Sequence, residues 1–181
     1  MEINAENMTR VRHEKLMRFV TRNFEKLRVP KEDADIAGNV LVQADLRGVD
    51  THGVIRFSPH AWYVKWLREG SMTARPNIRV VSETASSALL DGDRGMGMVI
   101  GHRAMEMAIG KARDSGIGMV AVRNSRHYGM SAYYSMLALS HDMIGVAMTN
   151  ASRQVVPTFG REPRFGTNPM CFAVPAAKEL P

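Results

Sequence analysis

The sequence is poor in several features, and each shortage excludes something. It has one cysteine, Cys171, so no internal disulfide can form and a reducing cytoplasm fits. It has no apolar run of the roughly 18 residues that a membrane-spanning helix needs. Its N-terminus, MEINAENMTRVRHEKLMRF, is too polar for a secretory signal. The six histidines form no H-E-x-x-H or other dense ligand pattern, and Cys171 has no second thiol beside it, so no metal site is indicated. There is no helix-turn-helix, zinc-finger or RNP-like pattern, no repeat and no low-complexity tract. The expectation is a cytoplasmic protein that binds neither nucleic acid nor membrane.

What remains is an ordinary globular composition in 181 residues, 45% hydrophobic and 23% charged. The net charge is +6. Arg10, Arg12, Lys15, Arg18, Arg22, Lys26 and Arg28 crowd the start, but Glu14 and Glu25 interrupt them, as on a solvated helix face. Leu16, Phe19, Val20, Phe24 and Leu27 recur at helical spacing up to Val29-Pro30. A second stripe, Ile36 to Ala44, stops at Arg47-Gly48, and a third helix is expected within Val54–Arg68, divided near Pro59 with Ser58 as a cap. Ser71 to Pro76 reads as a linker. Strands are expected at Ile78–Val81, Ala88–Leu90, Ile117–Val122 (buried), Ile144–Met148 and Cys171–Val174, with helices around Met105–Ala112 and Ala132–Leu139. The expected fold is α/β, with a helical N-terminal subdomain (1–70) followed by an α/β subdomain (71–181).

Gly95, Gly97 and Gly101 follow a strand and precede a helix, but they are spaced G-x-G-x-x-x-G, and no acidic strand end follows where a ribose ligand is expected. They read as packing glycines, so any dinucleotide is held by a device other than the ordinary Rossmann turn. Two histidines have informative neighbours. His52 and Arg56 are four apart and share a face if the chain is helical there. A guanidinium can fork onto a carboxylate while an imidazole exchanges a proton with the adjacent oxygen. A histidine that caps a helix or satisfies a buried carbonyl is the alternative. His127, in Asn124-Ser-Arg-His-Tyr-Gly129, follows a strand, where open α/β sheets place function. Gly166-Thr-Asn-Pro169 offers small hydroxyl and amide groups for hydrogen bonding, or is a plain turn.

These residues carry a resemblance. Ala44-Asp-Leu-Arg-Gly-Val-Asp-Thr-His-Gly-Val-Ile-Arg56, Gly116-Ile-Gly-Met-Val-Ala-Val-Arg-Asn-Ser-Arg-His-Tyr-Gly129, Met148-Thr-Asn150 and Gly166-Thr-Asn-Pro169 resemble, in order, the non-Rossmann malate/L-lactate dehydrogenase family. That family includes ureidoglycolate and sulfolactate dehydrogenases, diketogulonate reductase and cyclic-imine carboxylate reductases. The resemblance implies a dimeric oxidoreductase using NAD or NADP, with hydride moving at the carbon beside a carboxylate. It implies His52 and His127 as catalytic residues, Thr51 and Arg56 on the substrate, and Thr149, Asn150, Thr167 and Asn168 on the cofactor. Thr51 stands where the family usually has Ser and keeps the hydroxyl. Ala151 replaces a usual Ser, which removes one hydrogen-bonding group.

Family chains are longer, and this one stops at Ala177-Lys-Glu-Leu-Pro181, where the family enters the next strand of its cofactor domain. The expectation is a second polypeptide carrying the C-terminal half, and a homodimer of that pair, acting on a small carboxylate substrate. The alternative is a self-processed amide hydrolase on the same scaffold, with an N-terminal Thr, Ser or Cys nucleophile on the partner chain.

Overall fold

The computed structural model describes residues 10–58 and 61–177. It begins with helices α1 (His13–Lys26), α2 (Lys31–Leu46) and α3 (Trp62–Arg68). Two single 3-10 turns, Asp50–His52 and Val54–Phe57, lie between α2 and α3. The apolar spacing that predicts α1 and α2 also buries them against each other, with Val20 and Phe24 facing Val40, Leu41 and Ala44. Pro30 stands just before α2, where the missing N–H costs no helical bond. The expected third helix is therefore two unlike pieces, and Pro59 lies outside the described residues.

The remaining chain alternates. Strands β1 (Arg79–Glu83) and β2 (Ser87–Asp91) form an antiparallel pair. Helix α4 (Gly97–Ser115) then leads to β3 (Met119–Arg123), which runs parallel to β2 in the sheet order β1-β2-β3. Helix α5 (Ser131–Leu137) and a 3-10 turn (Ala138–His141) precede a separate antiparallel ribbon, β4 (Gly145–Met148) with β5 (Met170–Ala173). The order of helices first, then strands alternating with helices, is the one the sequence predicts. One core joins both stretches: Phe24, Leu41 and Tyr63 pack in the same cluster as Met98, Tyr134 and Ala147.

Two expectations need correction. The segment Ile117–Val122 is not a buried strand. β3 sits at a sheet edge with α4 covering one face, which leaves Met119 63% exposed. Ser71–Pro76 is not a free linker. Met72 is fully buried, its N–H donates to the Trp66 carbonyl at 3.0 Å, and the Thr73 N–H donates to the Arg94 carbonyl at 3.0 Å. No helix among the described residues is long and apolar enough to cross a membrane.

Candidate active site

Helix α2 ends at Leu46, and Gly48, at φ +71°, reverses the chain so that the Val49 N–H donates to the Ala44 carbonyl at 2.9 Å. The reversal lays residues 50–57 back across the end of α2. Asp45, in the last turn of α2, holds them there by accepting the Val54 N–H at 3.0 Å. Gly53 presses on the same carboxylate, where a Cβ would come 1.7 Å from Asp45 Oδ1. Burial raises the Asp45 pKa, the Val54 hydrogen bond works against that rise, and the Asp50 charge adds to it.

This local wrap aims Arg56. Its Nε donates to the Thr51 carbonyl at 2.5 Å, and its guanidinium carbon sits 4.2 Å from the centre of the Trp62 ring. Among the described residues no carboxylate pairs with it. With Nε and one face engaged, the terminal Nη edge is the part left to meet a planar anion.

The second half of the site comes from far along the chain. β2 and β3 are parallel with Asp91 opposite Arg123, so both strands end at the same edge. The loop after β3 then crosses the start of α4. At Gly97 a Cβ would lie 2.0 Å from the Arg126 carbonyl oxygen, so the Gly95–Gly101 turn serves packing, as its spacing suggests. The loop delivers His127 against His52, with ring centres 5.6 Å apart and planes 24° apart. α3 closes the group. Tyr63 Oη lies 2.6 Å from His127 Nδ1, and the Trp62 ring meets His127 edge-on at 5.3 Å.

The environment disfavours the charged form of both rings. Burial lowers the His52 pKa, and the Arg56 charge lowers it further. His127 is pushed down to about 4, first by burial and then by His52 and Arg56. Burial raises the Tyr63 hydroxyl well above its ordinary value, so it stays protonated. His52 Nδ1 shares a 2.9 Å hydrogen bond with the Thr51 hydroxyl.

Four residues singled out in the sequence, Thr51, His52, Arg56 and His127, therefore meet in one place. The other four form a second group at the end of the β4–β5 ribbon. There the Thr149 N–H donates to the Pro169 carbonyl at 3.3 Å, Asn150 follows directly, and Asn168 Oδ1 accepts the Ala151 N–H at 2.9 Å. Thr167 is exposed beside them. No hydrogen bond or ring contact among the described residues joins this group to the histidines. Sequence reasoning missed Asp45, Trp62 and Tyr63. The last two fall inside the expected third helix, with nothing local to mark them, and only the proximity of Trp62 to a predicted anion-binding arginine could have flagged them. Among the described residues no three His, Cys, Asp or Glu side chains group as a metal site.

Comparison with known proteins places the sequence and the fold. The profile of the malate/L-lactate dehydrogenase family matches residues 11–181. A malate dehydrogenase of Pyrococcus horikoshii is 48% identical over 170 residues, which are 94% of this chain and 46% of that protein. An L-sulfolactate dehydrogenase of Methanocaldococcus jannaschii is 44% identical over 150 residues, 83% of this chain and 43% of that one. The solved malate dehydrogenase structure from P. horikoshii superposes with a TM-score of 0.93 at 46% identity, covering 99% of this chain and 51% of that one. The chain spans about half the length of the curated relatives it matches. With the motifs in order, the site assembled and the fold shared, the chain belongs to the malate/L-lactate dehydrogenase family.

Proposed function

We propose that this chain carries the substrate-gripping part of an NAD- or NADP-dependent oxidoreductase that interconverts a small 2-oxo acid, or a cyclic imine carboxylate, with its 2-hydroxy acid or amino acid. The observation that carries the reading is the convergence of Arg56, His52 and His127 from two separate segments, with no carboxylate among the described residues paired to the arginine. A carboxylate docked on the Nη edge of Arg56 places the neighbouring C2 oxygen or nitrogen within the range of the stacked imidazoles. One ring polarises that atom and the other exchanges its proton. Trp62 holds the guanidinium plane by stacking on one face.

The polar groups at the end of the β4–β5 ribbon fit a nicotinamide dinucleotide by their chemistry. Thr149, Asn150 and Thr167 offer hydroxyl and amide groups suited to a carboxamide or ribose, while the Asn168 amide oxygen is already engaged in shaping its own loop. When bound, that cofactor supplies or accepts the hydride. We also propose that the rest of its pocket comes from a polypeptide corresponding to the C-terminal half of the relatives, and that the pair dimerises. The open apolar face of the ribbon, with Val146 opposite Phe172 and Met148 opposite Met170, supports such a partner. The matched relatives are named dehydrogenases and a reductase, which favours hydride transfer over the amide hydrolase.

The test is oxidation of NADH and NADPH by a panel of 2-oxo acids and cyclic imine acids, using the protein in the assembly in which it purifies. Turnover of at least one such acid is expected. Nicotinamide binding without turnover of any of them, together with amide cleavage, would move the assignment to the hydrolase.

A further inference from the structure

His127 Nδ1 has two neighbours, and both are donors. The Gly129 backbone N–H points at it from 3.3 Å, and a backbone N–H can only donate. Tyr63 Oη lies 2.6 Å away. Tyr63 is fully buried, and its hydroxyl has no other hydrogen-bond partner among the described residues. Its proton therefore goes to Nδ1, because leaving a buried O–H unpaired is costly. A nitrogen that accepts from two donors holds a lone pair, so the proton of the neutral ring sits on Nε2.

We propose that Tyr63, together with the Gly129 amide, is a positioning residue that pins His127 in the Nε2–H tautomer and so makes it a fixed hydrogen-bond donor to the substrate's C2 oxygen or nitrogen rather than a base. To abstract a proton at Nε2, the ring would first need its own proton on Nδ1, facing the Gly129 N–H. That arrangement sets two donors against each other. The proton exchange then belongs to His52, whose Nδ1 faces a hydroxyl that can either donate or accept. The assignment rests on the oxidoreductase reading for its catalytic consequence, but the tautomer itself does not.

The experiment is long-range 1H–15N correlation NMR on 15N-histidine-labelled protein, with His127→Gln identifying the His127 signals. At neutral pH the wild-type protein should show a pyridine-like Nδ1 and a pyrrole-like Nε2. In Tyr63→Phe the Nδ1 resonance should move toward its unbonded value. In the active assembly the same variant should lower kcat about five- to tenfold while KM stays within about twofold. A wild-type ring protonated on Nδ1, an Nδ1 resonance unmoved in Tyr63→Phe, or an unchanged kcat in that variant overturns the proposal. The wild-type spectrum needs no variant to fold. If no substrate turns over, the NMR result still decides the tautomer, so failure of the functional reading remains distinguishable.

Discussion

Arg56 and His127 carry the proposed chemistry, and each makes a separate prediction. The Arg56 guanidinium is held edge-on by Thr51 and face-on by Trp62. Lysine keeps the charge but neither the fork nor the stack, so Arg56→Lys should raise KM for the carboxylate substrate about tenfold or more with a smaller effect on kcat. Steady-state kinetics checks this, and an unchanged KM removes Arg56 from the site. Alanine at His52, the proton-exchanging ring, should instead lower kcat by about 10²–10⁴, and alanine at His127, the hydrogen-bond donor, by about 10²–10³. His127 also predicts a pH dependence of folding. Its pKa falls from 6.5 to about 4 in the native protein, so the unfolded chain binds more protons between those values. Its contribution is fully present above about pH 6.5 and is lost as pH falls toward 4, by about 3 kcal/mol as an upper bound. His52, Arg56 and Tyr63 face the ring, and neither of the first two offers a negative charge to favour the imidazolium. Denaturant titrations from pH 4 to 7 should show a shallower acid slope in His127→Gln than in the wild-type protein.

At the scale of elements, the site depends on how α2 stops. Asp45 ties the 3-10 turns to the helix end, and Gly53 must lack a side chain for the carboxylate to reach Val54. Gly53 has φ −89°, which any residue adopts, so an added methyl acts by collision rather than by backbone strain. Gly53→Ala should destabilise the fold by about 1–3 kcal/mol and weaken substrate binding at the same time, measured by denaturation and KM. Much of this level was legible in the sequence. The 3.6-residue stripes of α1 and α2 mark helices that bury most of those positions, except that Phe19 of α1 stays 56% exposed, and the short strands lie within a residue or two of their expected places. The turns at residues 50–57 were less legible, because helical spacing of His52 and Arg56 can arise from two 3-10 turns broken at a glycine. The burial of Ile117–Val122 was misread because an apolar run does not say whether both faces of its sheet are covered. The link from His127 to Tyr63 spans 64 residues, and no local pattern encodes it.

At the scale of the molecule, a single core joins the first three helices to α4 and α5, while the β4–β5 ribbon shows an apolar face outward. Cys171 and Ala173 turn inward toward α5, and Met170 and Phe172 turn out. A charge placed there would disturb the proposed association while the core of this chain stays intact. Phe172→Asp should therefore abolish capture of the proposed polypeptide, a chain corresponding to the C-terminal half of the relatives, without lowering the melting temperature of this chain alone by more than a few degrees. Native mass spectrometry of the two proteins checks it, and a partner retained by the variant would place the contact elsewhere. Isotope transfer tests the proposed hydride transfer at a carbon held beside Arg56 most directly. The purified assembly is incubated with nicotinamide cofactor deuterated at C4 and a panel of 2-oxo acids, and the products are read by mass spectrometry and NMR. Deuterium at C2 of the hydroxy acid, lost at matched low substrate concentration in Arg56→Lys, is the predicted result. No transfer to any 2-oxo or cyclic imine acid from an assembly that binds the cofactor would contradict it.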